Sequence, residues 1–171
     1  MIIILTGPTG SGKTDTSWAL FENVKDMVFL DCDWFASLQP FSWKKEADVQ
    51  MVYQAIATMI EFYTNIGHEN FVITLTSEMA LAHHNIDTCF ADKNRDIYRF
   101  RLRCDQQELQ RRISHRDRLE VQKQQELKNS LVQQELFDSE FPSNDIFYQI
   151  DGSHKTEQQI ALEILKHIQK L

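Results

Sequence analysis

Residues 1–14 read Met1-Ile2-Ile3-Ile4-Leu5-Thr6-Gly7-Pro8-Thr9-Gly10-Ser11-Gly12-Lys13-Thr14. An apolar run runs into glycines and then into Lys-Thr, matching the pattern GxxxxGK[ST] in full. The run predicts a buried first strand, and residues 13–24, with Ser17, Leu20, Phe21 and Val24 at helical spacing, predict a helix. A glycine-rich turn between such a strand and helix lets backbone N–H groups point inward around a phosphate. The helix adds the positive end of its dipole. Gly7, Thr9, Gly10, Ser11 and Gly12 are therefore expected to form a nucleotide-phosphate cradle. Lys13 would reach the β- and γ-phosphates, and the Thr14 hydroxyl would ligate Mg²⁺.

Working outward, strands and helices alternate. Residues 27–31 are a second strand, and 44–65 a helix carrying Val52, Ile56, Met59, Ile60 and Tyr63, ended by Gly67. Residues 71–75 are a third strand, followed by a short helix after Ser77. Residues 97–103 are a fourth strand with one wetter face. Gln106 to about Glu135 is polar, with a thin stripe of Leu109, Ile113, Leu119, Leu127 and Leu131, as expected of a helical hairpin projecting from the body. Residues 138–145 read as a loop and 146–150 as a fifth strand. Thr156 to Gln159 resembles a capping box that opens a last helix. This order predicts an α/β fold, a five-stranded, mostly parallel sheet flanked by helices, as one domain over residues 1–171, with residues 105–137 as a lid.

The chain has 171 residues, 42% of them hydrophobic and 25% charged, which suits one globular domain. No apolar run approaches the roughly 20 residues of a membrane span, and the opening residues lack the basic flank of a signal peptide. A net charge of −7 argues against general nucleic-acid binding. Three cysteines, Cys32, Cys89 and Cys104, show no metal-ligand spacing and are expected as reduced thiols of a cytoplasmic protein.

Ligands of parallel sheets bind beyond the carboxyl ends of the strands, so the residues following each strand matter most. After the second strand, Asp31 and Asp33 are spaced i, i+2, which places both carboxylates on one side. One can hold the metal and the other accept a proton from an attacking hydroxyl; capping of the next helix is the plainer alternative. Trp34, Phe35, Phe41 and Trp43 can line a substrate pocket or pack as core. The third strand lacks the terminal aspartate usual in such nucleotide sites, leaving Thr74, Thr76, Ser77, Glu78 or Asp31 to take its place. In the polar segment, Arg112 and Arg116 stand at i, i+4 with Arg118 beyond, suited to phosphate oxygens, although arginines so spaced also pair with Glu108 and Glu120. Asp151 to Lys155 forms a tight loop where adenine could rest. His83 and His84 have no partner at ligand spacing and read as packing or surface residues.

Together GPTGSGKT, LDCD, the segment from Leu102 to Arg118 and IDGSHKTEQQI resemble the small P-loop kinases: shikimate kinase, gluconate kinase, chloramphenicol phosphotransferase-like proteins and nucleoside monophosphate kinases. The resemblance spans essentially the whole chain. It implies a P-loop NTPase fold, Mg²⁺-ATP as cofactor and a small-molecule hydroxyl acceptor, with a monomer or homodimer expected. It implies that Asp31 assists Mg²⁺, that Asp33 contacts the acceptor, that Arg112 packs on adenine and that Arg116 and Arg118 touch phosphates, Arg116 in a catalytic role with Lys13 and Asp33. The glycine-rich turn that follows the third strand in shikimate kinases is absent, which argues against shikimate as acceptor. Nucleoside or nucleotide phosphorylation, and a regulatory ATP-binding protein without an acceptor, remain the alternatives.

Overall fold

A computed structural model of the protein describes residues 1–81, 84–90, 95–141 and 146–170, except the side chains of residues 81, 84, 85 and 87. His83 and the side chain of His84 fall outside these. The strands are β1 (Ile2–Thr6), β2 (Met27–Asp31), β3 (Asn70–Thr74), β4 (Ile97–Arg103) and β5 (Tyr148–Asp151). They form one sheet in the order β2-β3-β1-β4-β5, and every pairing is parallel. β1 is central and fully buried, as its unbroken apolar run requires.

Eight helices are described: α1 (Lys13–Asn23), α2 (Cys32–Phe35), α3 (Glu46–Asn65), α4 (Ser77–Leu81), α5 (His84–Phe90), α6 (Gln106–Ser114), α7 (Glu120–Glu140) and α8 (Glu157–Ile168). Ile2, Ile4, Leu30, Phe71 and Ile73 point from one face of the sheet into a core with Val52, Tyr53 and Ile56 of α3 and Phe137 of α7. Ile3, Leu5, Val72, Phe100 and Ile150 point from the other face to Leu20 of α1 and Ile160 and Ile164 of α8. This period-2 alternation puts helices on both faces, as expected. The Thr156 capping box forms in full: Gln159 N donates to Thr156 Oγ1 (3.2 Å) and Thr156 N to Gln159 Oε1 (2.9 Å). Among the described residues, no helix is long and apolar enough to cross a membrane.

Four local expectations are corrected. Phe21 is exposed, because Thr16, Ser17, Ala19 and Leu20 form the buried face of α1. The wetter face of β4 is dry at Arg101, which is fully buried beside Phe137. The hairpin does not simply project: Leu109 and Ile113 are buried against the phosphate loop, and Phe137 anchors α7 in the core. α7 also runs to Glu140, through the start of the stretch read as a loop, of which 142–145 lie outside the described residues.

Candidate functional site

The carboxyl ends of β1, β2 and β3 open into a cleft of about 810 Å³, bounded on its far side by α6, by α7 and by the loop before α8. Gly7, Thr9, Gly10, Gly12, Lys13 and Thr14 line it. Gly7 has φ 145° and is so enclosed that a Cβ there would lie 2.4 Å from the Leu102 carbonyl oxygen of β4. Gly12 stands as N-cap of α1 with φ 94° and no side-chain cap. The first-turn N–H groups of α1 therefore meet the cleft uncovered, which is what an anion requires. Lys13 Nζ donates to the carbonyls of Gly7 (2.8 Å) and Pro8 (3.1 Å). Burial pushes its pKa down, opposed by the carboxylates of Asp33 and Asp31.

Asp31 closes β2 and caps the four-residue α2. Its Oδ1 accepts from Asp33 N (3.1 Å) and its Oδ2 from Thr14 Oγ1 (3.3 Å). The carboxylate of Asp31 is thus fixed beside Thr14 in the first turn of α1. Donor atoms of Asp31, Cys32 and Asp33 lie within 4.8 Å of one another. Burial raises the Cys32 thiol pKa strongly, so it stays a neutral thiol and a poor ligand for a hard cation. The oxygens of Thr14 and Asp31 therefore suit Mg²⁺, and the uncapped loop beside them suits a polyphosphate. The Asp33 carboxylate faces the cleft with its pKa raised, first by burial and then by Asp31 and Glu78, with Lys13 opposing. Thr74, Thr76, Ser77 and Glu78 also line the cleft, as does Trp43, which packs edge-on against Phe41. Trp34 is exposed against Phe29 and is not among the residues that line the cleft. Phe35 and Phe41 pack against the core, as the plainer alternative has it.

The arginine segment supplies the other wall. Arg112 donates through Nη1 to Ser11 O (3.0 Å), through Nη2 to Gly152 O (2.8 Å) and through Nε to Glu108 (2.6 Å). It thereby ties the phosphate loop to the turn between β5 and α8. Glu108 also takes two bonds from Arg111, and these guanidiniums hold its carboxyl down at about 2, against burial. Arg116 and Arg118 both line the cleft and share Glu126 of α7, at 3.0 and 2.9 Å. α6 ends at Ser114, so Arg112 and Arg116 are not neighbours on one helical face. The turn after α6 carries Arg116 to the cleft instead. Glu126, not Glu120, is its partner.

Contacts from α7 escaped the sequence. Ser130 Oγ donates to Thr9 O (2.6 Å), and Gln133 Oε1 accepts from Thr9 N (3.2 Å). The i, i+3 spacing of Ser130 and Gln133 was the available signal, but nothing local said which surface that face meets.

The family model described as "AAA domain" matches residues 3–140. No curated protein matches the chain. Among solved structures, the tunicamycin resistance protein of Deinococcus radiodurans is 17% identical, with a TM-score of 0.65 over 98% of this chain and 94% of that one. A shikimate kinase from Acinetobacter baumannii is 19% identical, with a TM-score of 0.66 over 99% and 93%. A gluconokinase from Sinorhizobium meliloti 1021 is 18% identical, with a TM-score of 0.68 over 98% and 91%. At these identities the likeness is one of fold, and it agrees with the phosphate loop, the parallel strand order and the arginine-bearing segment described above. The chain belongs to the AAA domain family and has the α/β fold of the small P-loop kinases.

Proposed function

We propose that the protein is an ATP-dependent phosphotransferase that moves the γ-phosphoryl group of Mg²⁺-ATP to a hydroxyl of a small metabolite. The observation that carries this reading is the pairing of an uncapped phosphate loop with the cleft-facing carboxylate of Asp33, held beside Lys13. Bound Mg²⁺-ATP supplies an activated phosphoryl group and a metal that shields its charge. Gly7, Thr9, Gly10, Ser11 and Gly12 shape the cradle, and Thr14 and Asp31 hold the metal. Lys13 leaves the carbonyls of Gly7 and Pro8 to stabilise charge on the transferring oxygens. Asp33 orients the acceptor hydroxyl and takes its proton as the oxygen attacks phosphorus, the electron pair of the broken P–O bond leaving on ADP. Its raised pKa makes it a better base than a free aspartate.

Arg112 flanks the adenine. Arg116 and Arg118 exchange Glu126 for phosphate oxygens as the lid, residues 105–137 of a single domain, closes and excludes water. ADP release with Mg²⁺-ATP and a panel of hydroxyl compounds tests the reading, alongside Lys13→Ala and Asp33→Asn. An acceptor should stimulate release, and Asp33→Asn should cut the stimulated rate by about 10²- to 10⁴-fold. Tight ATP binding with no stimulation by any acceptor, or full activity of Asp33→Asn, would overturn it.

A further inference from the structure

The two walls of the cleft differ in how their charges are paired. Every arginine of the lid wall already has a carboxylate: Arg111 and Arg112 have Glu108, and Arg116 and Arg118 have Glu126. Across the loop, beyond Lys13, the described lining at the ends of β2 and β3 has no cation. It has three carboxylates instead: Asp31, Asp33 and Glu78. Asp31 is committed to Thr14 and the turn of α2. Asp33 has the acceptor hydroxyl. The side chain of Glu78, in the first turn of α4, lines the same cleft as Asp33 and has no hydrogen bond or ion pair among the described residues.

A second, independent feature marks this end of the cleft as built for a ligand. Thr74 is 1% exposed, lines the cleft, and its Oγ1 has no hydrogen-bond partner among the described residues. A buried hydroxyl left so is costly unless something binds it. Trp43 adds an aromatic surface, the surface a cation prefers.

We infer that the acceptor is a hydroxyl compound bearing an ammonium group, such as an amino alcohol or amino sugar. Glu78 takes the ammonium, Trp43 covers it, Thr74 accepts or donates one polar contact, and Asp33 keeps the hydroxyl. The inference rests on the phosphotransferase reading and deepens it. A carboxylate- or phosphate-bearing acceptor has no guanidinium waiting at this end and would meet the like charges of Asp33 and Glu78.

Three matched trios test it by ADP release: ethanolamine, ethylene glycol and glycolate; serinol, glycerol and glycerate; glucosamine, glucose and gluconate. In at least one trio the amine should have a kcat/KM at least about tenfold above its neutral partner, with the carboxylate the poorest. A charge-assisted hydrogen bond is worth about that to about 100-fold. Glu78→Gln should bring the amine-to-neutral ratio close to one by raising KM for the amine, and Glu78→Lys should favour the carboxylate. Preference for a neutral or carboxylate member, or an unchanged ratio in Glu78→Gln, overturns the ammonium assignment and leaves phosphotransfer standing. No stimulation by any of the nine overturns the ammonium assignment, and failure of a wider hydroxyl panel as well overturns phosphotransfer itself.

Discussion

Arg101 and Asp138 should respond very unequally to substitution, although the same ion pair is lost either way. Arg101 is fully buried in β4, and Asp138, near the end of α7, is 41% exposed. Arg101 Nη2 donates to Asp138 Oδ1 (2.7 Å) and Gln134 O (3.1 Å), and its guanidinium lies 4.7 Å from the centre of the Phe137 ring. Nε and Nη1 are buried without partners among the described residues. Asp138→Ala therefore strands a buried cation that arginine cannot relieve by losing its proton. Removing one partner of a buried pair costs about 3–5 kcal/mol, and the solvent at Asp138 reduces this to about 2–3 kcal/mol. The lost contact to the exposed Arg103 adds little. Arg101→Met removes the cation instead. Methionine keeps packing on Phe137, and Asp138 turns to water, so the cost should be about 1 kcal/mol or less. For a chain of this length the larger effect lowers Tm by about 4–12 °C. Urea titrations followed by circular dichroism would measure both, with equal m-values as the check on two-state behaviour. If Arg101→Met costs as much as Asp138→Ala, the burial argument is wrong.

Two further outcomes follow from the walls of the cleft. Arg111 and Arg112 depress the Glu108 pKa from its ordinary 4.5 to about 2, so its contribution to stability is complete above about 4.5 and is lost as pH falls toward about 2. Glu108→Gln should flatten the fall in urea midpoint across that window, and an identical acid profile in the two proteins would count against the clasp. Gly7→Ala puts a methyl 2.4 Å from the Leu102 carbonyl and 2.9 Å from Ser11 Oγ at a φ of 145°. It should cost about 2–4 kcal/mol and weaken Mg²⁺-ATP binding in calorimetry; native values for both would show that the loop can move off β4.

The fold was legible where the physics is local. The run Ile2–Thr6 can only be a doubly covered strand, the glycines at 7, 10 and 12 can only be a turn, and Thr156 and Gln159 form their cap within one helical turn. That Asp31 would lie near the phosphate loop was legible too, because it ends a strand of the same parallel sheet; its bond with Thr14 came from the structure. What was hidden depends on how distant segments meet. A buried Arg101 looks like a wet strand position until Asp138 and Phe137 are brought to it by a helix more than thirty residues on. The hairpin looks like a projection because α7 grips the loop with polar groups, Ser130 and Gln133, which no hydrophobic pattern reveals. Arg116 misleads for a simpler reason: α6 stops at Ser114, and periodicity carries on past the end of a helix that has already turned away.

That hidden grip bears on how the site works. Thr9 is held on both sides by α7, at its carbonyl by Ser130 and at its N–H by Gln133, while α6 reaches the same loop through Arg112 and Ser11 O. The loop is therefore joined to both helices: a phosphate that drew on the backbone of the loop would also draw on α6, which carries Arg111 and Arg112, and on α7, which carries the carboxylate paired with Arg116 and Arg118. Glu126 holds Arg116 and Arg118 from a position one helical turn before Ser130, on the same helix. A shift of α7 that loosens Gln133 from Thr9 also moves the carboxylate that restrains both guanidiniums. Coupling through one rigid helix asks for no relay across the core. Arginines paired with Glu126 and Glu108 leave the cleft without a strong positive field that would trap any anion, and in the proposed reaction a nucleotide whose phosphates moved the loop would release them.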